Sequence, residues 1–217
     1  MTTDERLENL ERELARAKHL RAIRKSDAAT VARLHHVGIY TGFLSSLGPG
    51  FLVQLYAAIS SCPAGFGYAW EEPAGQVVAF VACAESVGRL YREALLRRGV
   101  PMGLSVLARA IVRPSVVWRA IETLRYPGEV GKELPPAEIL SIAVGEAARR
   151  KGVGQALMRA ALKEFKRRDI CHVKVAVGAD NEPANRLYQR CGFHLALTRE
   201  HHGLPLKIYV IDLAETA

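Results

Sequence analysis

Two short segments of this 217-residue chain carry side chains whose types and spacing can do chemistry. The first is Arg149-Arg150-Lys151-Gly152-Val153-Gly154, three cations followed by two glycines one residue apart. The apolar run Ile139–Val144 before it reads as a strand, and the periodic Val153, Leu157, Ala160, Ala161 and Phe165 read as a helix. The first N–H groups of a helix have no partner inside it and its dipole makes that end positive. Glycine there lets an anion approach the backbone. With three full cations added, the turn suits a phosphate. An ordinary strand–turn–helix with a solvated basic turn has the same pattern, so the segment alone leaves both readings open.

The second segment runs from Asn181 to Phe193 and reads as a helix with an Asn cap, Pro183 in its first turn and Gly192 as its stop. Asn181 and Tyr188 stand about two turns apart on one face, with small Ala184 between them. A ligand lying along that face meets an amide first and a proton-donating phenol last. The alternative for Tyr188 is an aromatic that packs its helix onto a sheet.

The commoner nucleotide motifs do not fit. No G-x-x-x-x-G-K-[ST] is present, and Gly152-x-Gly154 lacks the third glycine and following acid of a dinucleotide fingerprint. The turn matches R-x-x-G-x-G, with Arg149, Gly152 and Gly154 in register.

Strand, R-x-x-G-x-G, helix, the strand-like run His172–Val177 and then N-x-x-A-x-x-x-Y-x-x-x-G-F together resemble the GNAT superfamily of N-acetyltransferases. The specific match covers Glu138 to about Phe193, and a looser match in element order runs from about Ile23 to Leu213. The resemblance implies an α/β fold: a single mixed, mostly antiparallel sheet with two splayed parallel strands and flanking helices. It implies acetyl-CoA as co-substrate and transfer of its acetyl group to a primary amine by direct attack. The backbone of Ile142, Ala143 and Val144 would pair with the pantetheine arm. Arg149, Arg150, Lys151, Gly152, Val153 and Gly154 would hold the pyrophosphate, Asn181 would bond the pantetheine, and Tyr188 would protonate the departing thiolate. A phenol with a pKa near 10 can give that proton and recover it.

The general base has two readings. Glu138 stands where the histone-acetyltransferase branch keeps its glutamate, but a solvated carboxylate at a strand entry looks the same. The ribosomal-protein branch resembles this chain over Ala137–Val144, yet its catalytic glutamate falls on Ala176 here, which argues against that base. His201 and His202, in the expected hairpin loop Thr198–Pro205, are further candidates on the acceptor side.

Composition bounds the rest. Net charge is +8 with a pI near 9.5, which suits an anionic carrier, and no nucleic-acid-binding motif accompanies it. No apolar run is long enough to span a bilayer, the N-terminus is charged from Asp4, and the four cysteines lack metal spacing. The expectation is a cytoplasmic enzyme without a metal, acting on a small-molecule or peptide amine. Alternatives are a longer acyl donor, a lipid-like acceptor, or a CoA-binding domain without turnover.

The expected organisation is a helical extension over residues 1–22, with a seam of Leu7, Leu10, Leu14, Ala17 and Leu20 that docks or forms a homodimer contact. An acetyltransferase domain over 23–217 follows, with a helical insertion at 85–127. The insertion is expected as three pieces, Val87–Arg98, Pro101–Val112 and Ser115–Arg125, apolar and rich in arginine. A lid over the acceptor, a dimer surface and a contact with anionic lipid are its three functional readings, beside simple packing on the sheet edge.

Overall fold

Stretches rich in β-branched and aromatic residues assemble one seven-stranded sheet in the computed structural model, which describes residues 18–39, 43–111, 134–201 and 204–214. The strands are β1 (Leu20–Ala22), β2 (Gly65–Glu71), β3 (Val77–Ala84), β4 (Glu138–Val144), β5 (His172–Gly178), β6 (His194–His201) and β7 (Leu204–Asp212). Their spatial order is β1-β2-β3-β4-β5-β7-β6, and every neighbouring pair is antiparallel except β4 with β5.

Helices cover both faces. On one lie α1 (Ala28–Gly38), the single-turn α2 (Phe43–Ser46), α3 (Pro49–Ile59) and α4 (Val87–Ala110). On the other lie α5 (Val153–Arg167) and α6 (Glu182–Arg190). The first face buries Val31, Leu52, Leu55, Tyr56 and Phe80, with Tyr56 edge-on to Phe80 at 5.2 Å. The second buries Leu157, Met158, Phe165, Val173 and Tyr209, and Phe66 meets Phe165 edge-on at 4.8 Å. Each such aliphatic or aromatic side chain contributes about 1.5–3 kcal/mol by leaving water. Two cores on opposite faces hold the central strands rigid, so β4 can carry a site along its edge.

Several expectations shift. α1 begins at Ala28, and Asp27 before it makes no side-chain cap. Its buried carboxylate instead accepts from the Arg24 N–H at 2.7 Å and from the Arg21 guanidinium at 2.6 Å. The β6–β7 hairpin is tighter than expected, because both strands extend into the run read as its loop. The largest correction is in the insertion. Val87–Arg98 and Pro101–Val112 were expected as separate pieces, but α4 runs unbroken through Gly99 and Pro101. Contacts on both sides of the proline hold it to α3, the turn after α3 and the core. Arg98 donates to Gln54 Oε1 at 2.9 Å, Arg97 to the Ser61 carbonyl at 2.9 Å, and Met102 is buried. Proline removes one helical hydrogen bond, and these contacts offset that loss. Leu20, expected to end the N-terminal seam, lies in β1; the rest of that seam and the third piece, Ser115–Arg125, lie outside the described residues.

Candidate active site

The site begins with a miscount between two strands. β3 and β4 pair regularly from Ala79↔Val144 to Ala82↔Ser141, and then Cys83 faces Ile139, so Leu140 is an extra residue on β4. Such a bulge bends its strand and sharpens the local twist. β4 accordingly pairs with β5 only at Glu138↔Lys174 and Ile139↔Val175, and from Leu140 on the two parallel strands have no further pairing. β5 turns its other edge to β7 over its whole length. The stretch Ile142–Val144 therefore presents an unpaired edge into a wedge between the strands. One of its carbonyls, that of Val144, accepts from Arg149 Nε at 3.1 Å.

The basic turn closes the open end of the wedge. Gly145 donates to the Val78 carbonyl at 2.8 Å, and a Cβ there would sit 2.9 Å from that oxygen. A short 3-10 turn, Glu146–Ala148, is pinned by buried Ala148. Arg150 (φ 58°) and Gly152 (φ 78°) are both left-handed, and they fold Arg149–Lys151 outward so that all three cations are exposed. α5 then starts at Val153 with Gly152 as its cap and no capping side chain, so its first N–H groups point into the turn. A Cβ on Gly154 would touch Leu187 at 3.5 Å and Val144 at 3.7 Å. The end of β4, the start of α5 and the middle of α6 thus meet at one place. Free helix N–H groups, a left-handed glycine and three solvated cations fit a pyrophosphate.

On α6, Asn181 caps the helix as the sequence implies, its Oδ1 accepting from the Ala184 N–H at 3.3 Å, and its side chain is exposed. Tyr188 is buried. Its ring lies 6.0 Å from Phe193 and 6.1 Å from Tyr209, and burial pushes its phenol above the ordinary value near 10. Such a phenol stays protonated across the physiological range, which is the state a proton donor requires. Packing and donation are compatible here: the ring packs and the hydroxyl stays protonated.

Glu138 is not the solvated strand-entry carboxylate that sequence left open. It is 6% exposed, on the α1/α3 face of β4, and Lys174 Nζ stands 3.6 Å from its Oε2. Lys174 also donates to the Pro135 carbonyl, while Glu138 Oε2 accepts no hydrogen bond. Burial pushes this carboxyl up to about 7, outweighing the nearby ammonium. Glu138 precedes the bulge by two residues, roughly 7 Å along the strand. Of the two loop histidines, His202 and the side chain of His201 lie outside the described residues.

Three features escaped the sequence reading. Lys174 is the odd cation in an apolar strand, which was its available signal. Asn185 is buried and wires the β5–α6 turn together. Its Nδ2 donates to the Asn181 carbonyl at 2.8 Å and its Oδ1 accepts from the Tyr209 hydroxyl at 2.8 Å. The third is a buried polar chain. Tyr56 hydrogen-bonds His35 Nδ1 on one side and Ser141 Oγ, at 2.8 Å, on the other, beside the bulge. Burial lowers His35 to about 4, so it is neutral at pH 7. No local pattern marks this chain. Tyr56→Phe should strand two buried polar groups and cost about 1–3 kcal/mol of stability. Urea unfolding measures this, and a midpoint indistinguishable from wild type would mean that water replaces the hydroxyl.

The acetyltransferase (GNAT) family model matches residues 38–193. The chain belongs to that family. Members take the acetyl group from acetyl-CoA, and the wedge, the basic turn and α6 all lie inside the matched span. No curated relative matches the chain. Solved structures with this GNAT fold include yncA of Salmonella typhimurium with its cofactor acetyl-CoA. It is 16% identical with a TM-score of 0.57, over 90% of this chain and 94% of that one. An N-acetyltransferase from Staphylococcus aureus Mu50 is 18% identical with a TM-score of 0.58, over 89% and 97%. Mutant forms of the spermidine/spermine N-acetyltransferase SpeG from Vibrio cholerae are 16% identical with a TM-score of 0.53, over 90% and 95%. Among the described residues an open pocket of about 660 Å³ is lined by Glu85, Pro135, His172 and His194. It lies at the opposite ends of β4 and β5 from the basic turn, and neither that turn nor Asn181 or Tyr188 lines it.

Proposed function

We propose that this chain, through a domain spanning residues 23–217, acetylates a primary amine by direct attack within a ternary complex. The observation that carries this is the convergence of the free β4 edge, the glycine turn and the Tyr188 helix at Val144, Gly154 and Leu187. Acetyl-CoA supplies an acetyl thioester, already activated toward an amine. The turn from Arg149 to Gly154 binds its pyrophosphate, the edge Ile142–Val144 orients the pantetheine, and the exposed Asn181 side chain offers it a hydrogen bond. Arg149 would release the Val144 carbonyl when that edge is taken. Tyr188 gives its proton to the sulfur as the carbon–sulfur bond breaks.

The amine proton has to leave on the acceptor side. α5, which follows the basic turn, covers one face of the sheet, while Glu138 and Ser141 face the other, toward α1 and α3. A carrier seated at the turn and threaded through the wedge presents its reactive end on that second face. Glu138 takes the proton there, through water because its carboxylate is buried. With its pKa near 7, Glu138 is a base only above that pH. Activity of the wild type should therefore rise as pH climbs through about 7. Glu138→Gln should flatten the profile, with its largest loss on the alkaline side. A variant that keeps the acidic limb would remove Glu138 from the base role. The acceptor, small amine or peptide, is best found by offering panels of amines and reading thiol release.

A further inference from the structure

Helix α4 is apolar on two opposite sides. Leu90, Ala94 and Met102 are buried against the domain. On the other side Leu96 is 81% exposed, Val100 76%, Leu104 61%, Leu107 61% and Ile111 86%. Their spacing of four, four, three and four residues puts the first four on one face of α4, with Ile111 following one residue past its end, about 22 Å in all. A single exposed leucine needs no cause, but a continuous stripe of this kind marks a contact surface. A helix apolar all round is normally covered on every side.

The charges beside the stripe select what covers it. From Ala94 to Ile111 the only charged residues are Arg97, Arg98 and Arg109, with no acid among them. Arg92 and Arg97 are exposed along its N-terminal part, Arg97 with one of its N–H groups donating to the Ser61 carbonyl and the others directed to solvent, while Arg98 is held inward on Gln54. The nearest acid, Glu93, is largely buried and paired with Arg89 at 3.0 Å. A second copy docking stripe to stripe would bring these cation-only flanks together with no carboxylate to answer them. An anionic bilayer supplies both needs, hydrocarbon for the stripe and phosphate for the arginines, whose long stems reach headgroups while the helix lies at acyl depth.

We propose that α4 is an interfacial docking helix for anionic lipid, lying flat with Leu96, Val100, Leu104, Leu107 and Ile111 toward the acyl chains and Arg92 and Arg97 toward the phosphates. It lies on the bilayer and does not cross it: among the described residues no helix is long and apolar enough to span. The inference goes beyond acetyl transfer and does not depend on it.

The test is flotation of the full-length protein with vesicles of phosphatidylcholine alone and of equimolar phosphatidylcholine and phosphatidylglycerol. The protein should float with the mixed vesicles and far less with the neutral ones, and added salt should release it. The double variant Leu104→Glu/Leu107→Glu changes only exposed positions. It should lose vesicle binding by about tenfold or more while keeping its melting temperature and acetyl-CoA affinity. Arg92→Glu should weaken binding to the mixed vesicles only. Wild type that stays in the bottom fraction with both vesicles overturns the proposal, as does a double variant that floats equally well. So does a lipid-free dimer that the double variant splits in sedimentation, because the stripe would then belong to a second copy.

Discussion

Tyr188→Phe is expected to lower turnover on the order of 10²-fold or more while acetyl-CoA affinity stays close to wild type. Phenylalanine keeps the ring, and with it the contacts to Phe193 and Tyr209, so the helix and its cap should be undisturbed. What is lost is one hydroxyl that burial keeps protonated. If that proton goes to the sulfur as it leaves, its removal exposes a poor leaving group in a place water reaches with difficulty. Thiol release at saturating acetyl-CoA reads the rate, and titration calorimetry reads the affinity. Full turnover in the variant would make Tyr188 a packing residue only and assign the proton to solvent. A melting temperature lowered together with activity would mean that the hydroxyl is structural, a different outcome that the same samples reveal.

Gly152→Val should weaken acetyl-CoA binding by roughly 10- to 100-fold, more than Arg150→Ala does. Gly152 caps α5 at φ 78° and ψ 4°, a left-handed conformation that costs an L-residue about 1–2 kcal/mol, and more when it is β-branched. The valine would either reshape the turn or place methyl groups where the free N–H groups of α5 point. Arg150 is one of three exposed cations, so losing its charge removes only part of the attraction. Gly154 is a different case. A Cβ there meets Leu187 and Val144 at ordinary contact distance, so Gly154→Ala is a control in which backbone geometry survives. Binding by folded Gly152→Val at least as tight as by Arg150→Ala would mean that the phosphates sit elsewhere.

The two mutations probe local features that the sequence made legible, unlike others in the fold. The basic turn, the start of α5 and the whole of α6 were readable because each depends on chemistry within one or two turns. Those features are a cap oxygen and the N–H three residues on, a proline in the first turn, a stopping glycine and a 3.6-residue apolar period. The strand runs of β4 and β5 were legible for the same reason, to within about one residue at their ends. The break expected in α4 failed because Gly99 and Pro101 are local signals, and contacts from Arg97, Arg98 and Met102 outweighed them.

By itself, then, the sequence determined the order of elements, the glycine-punctuated basic turn and the Asn-capped helix α6, since neighbours along the chain set all of these. Tertiary structure alone decided where β4 parts from β5. That depends on counting Leu140 against a partner strand more than fifty residues away, and no periodicity in β4 reveals the miscount. It also decided that Glu138 is buried opposite Lys174, which turns an ambiguous carboxylate into one that titrates near 7. The Tyr56–Ser141 bond joins residues 85 apart in sequence, and the outward stripe of α4 became visible only once the buried side of that helix was known. Register, burial and long-range pairing are properties of two surfaces meeting, and one segment read alone holds only half of each.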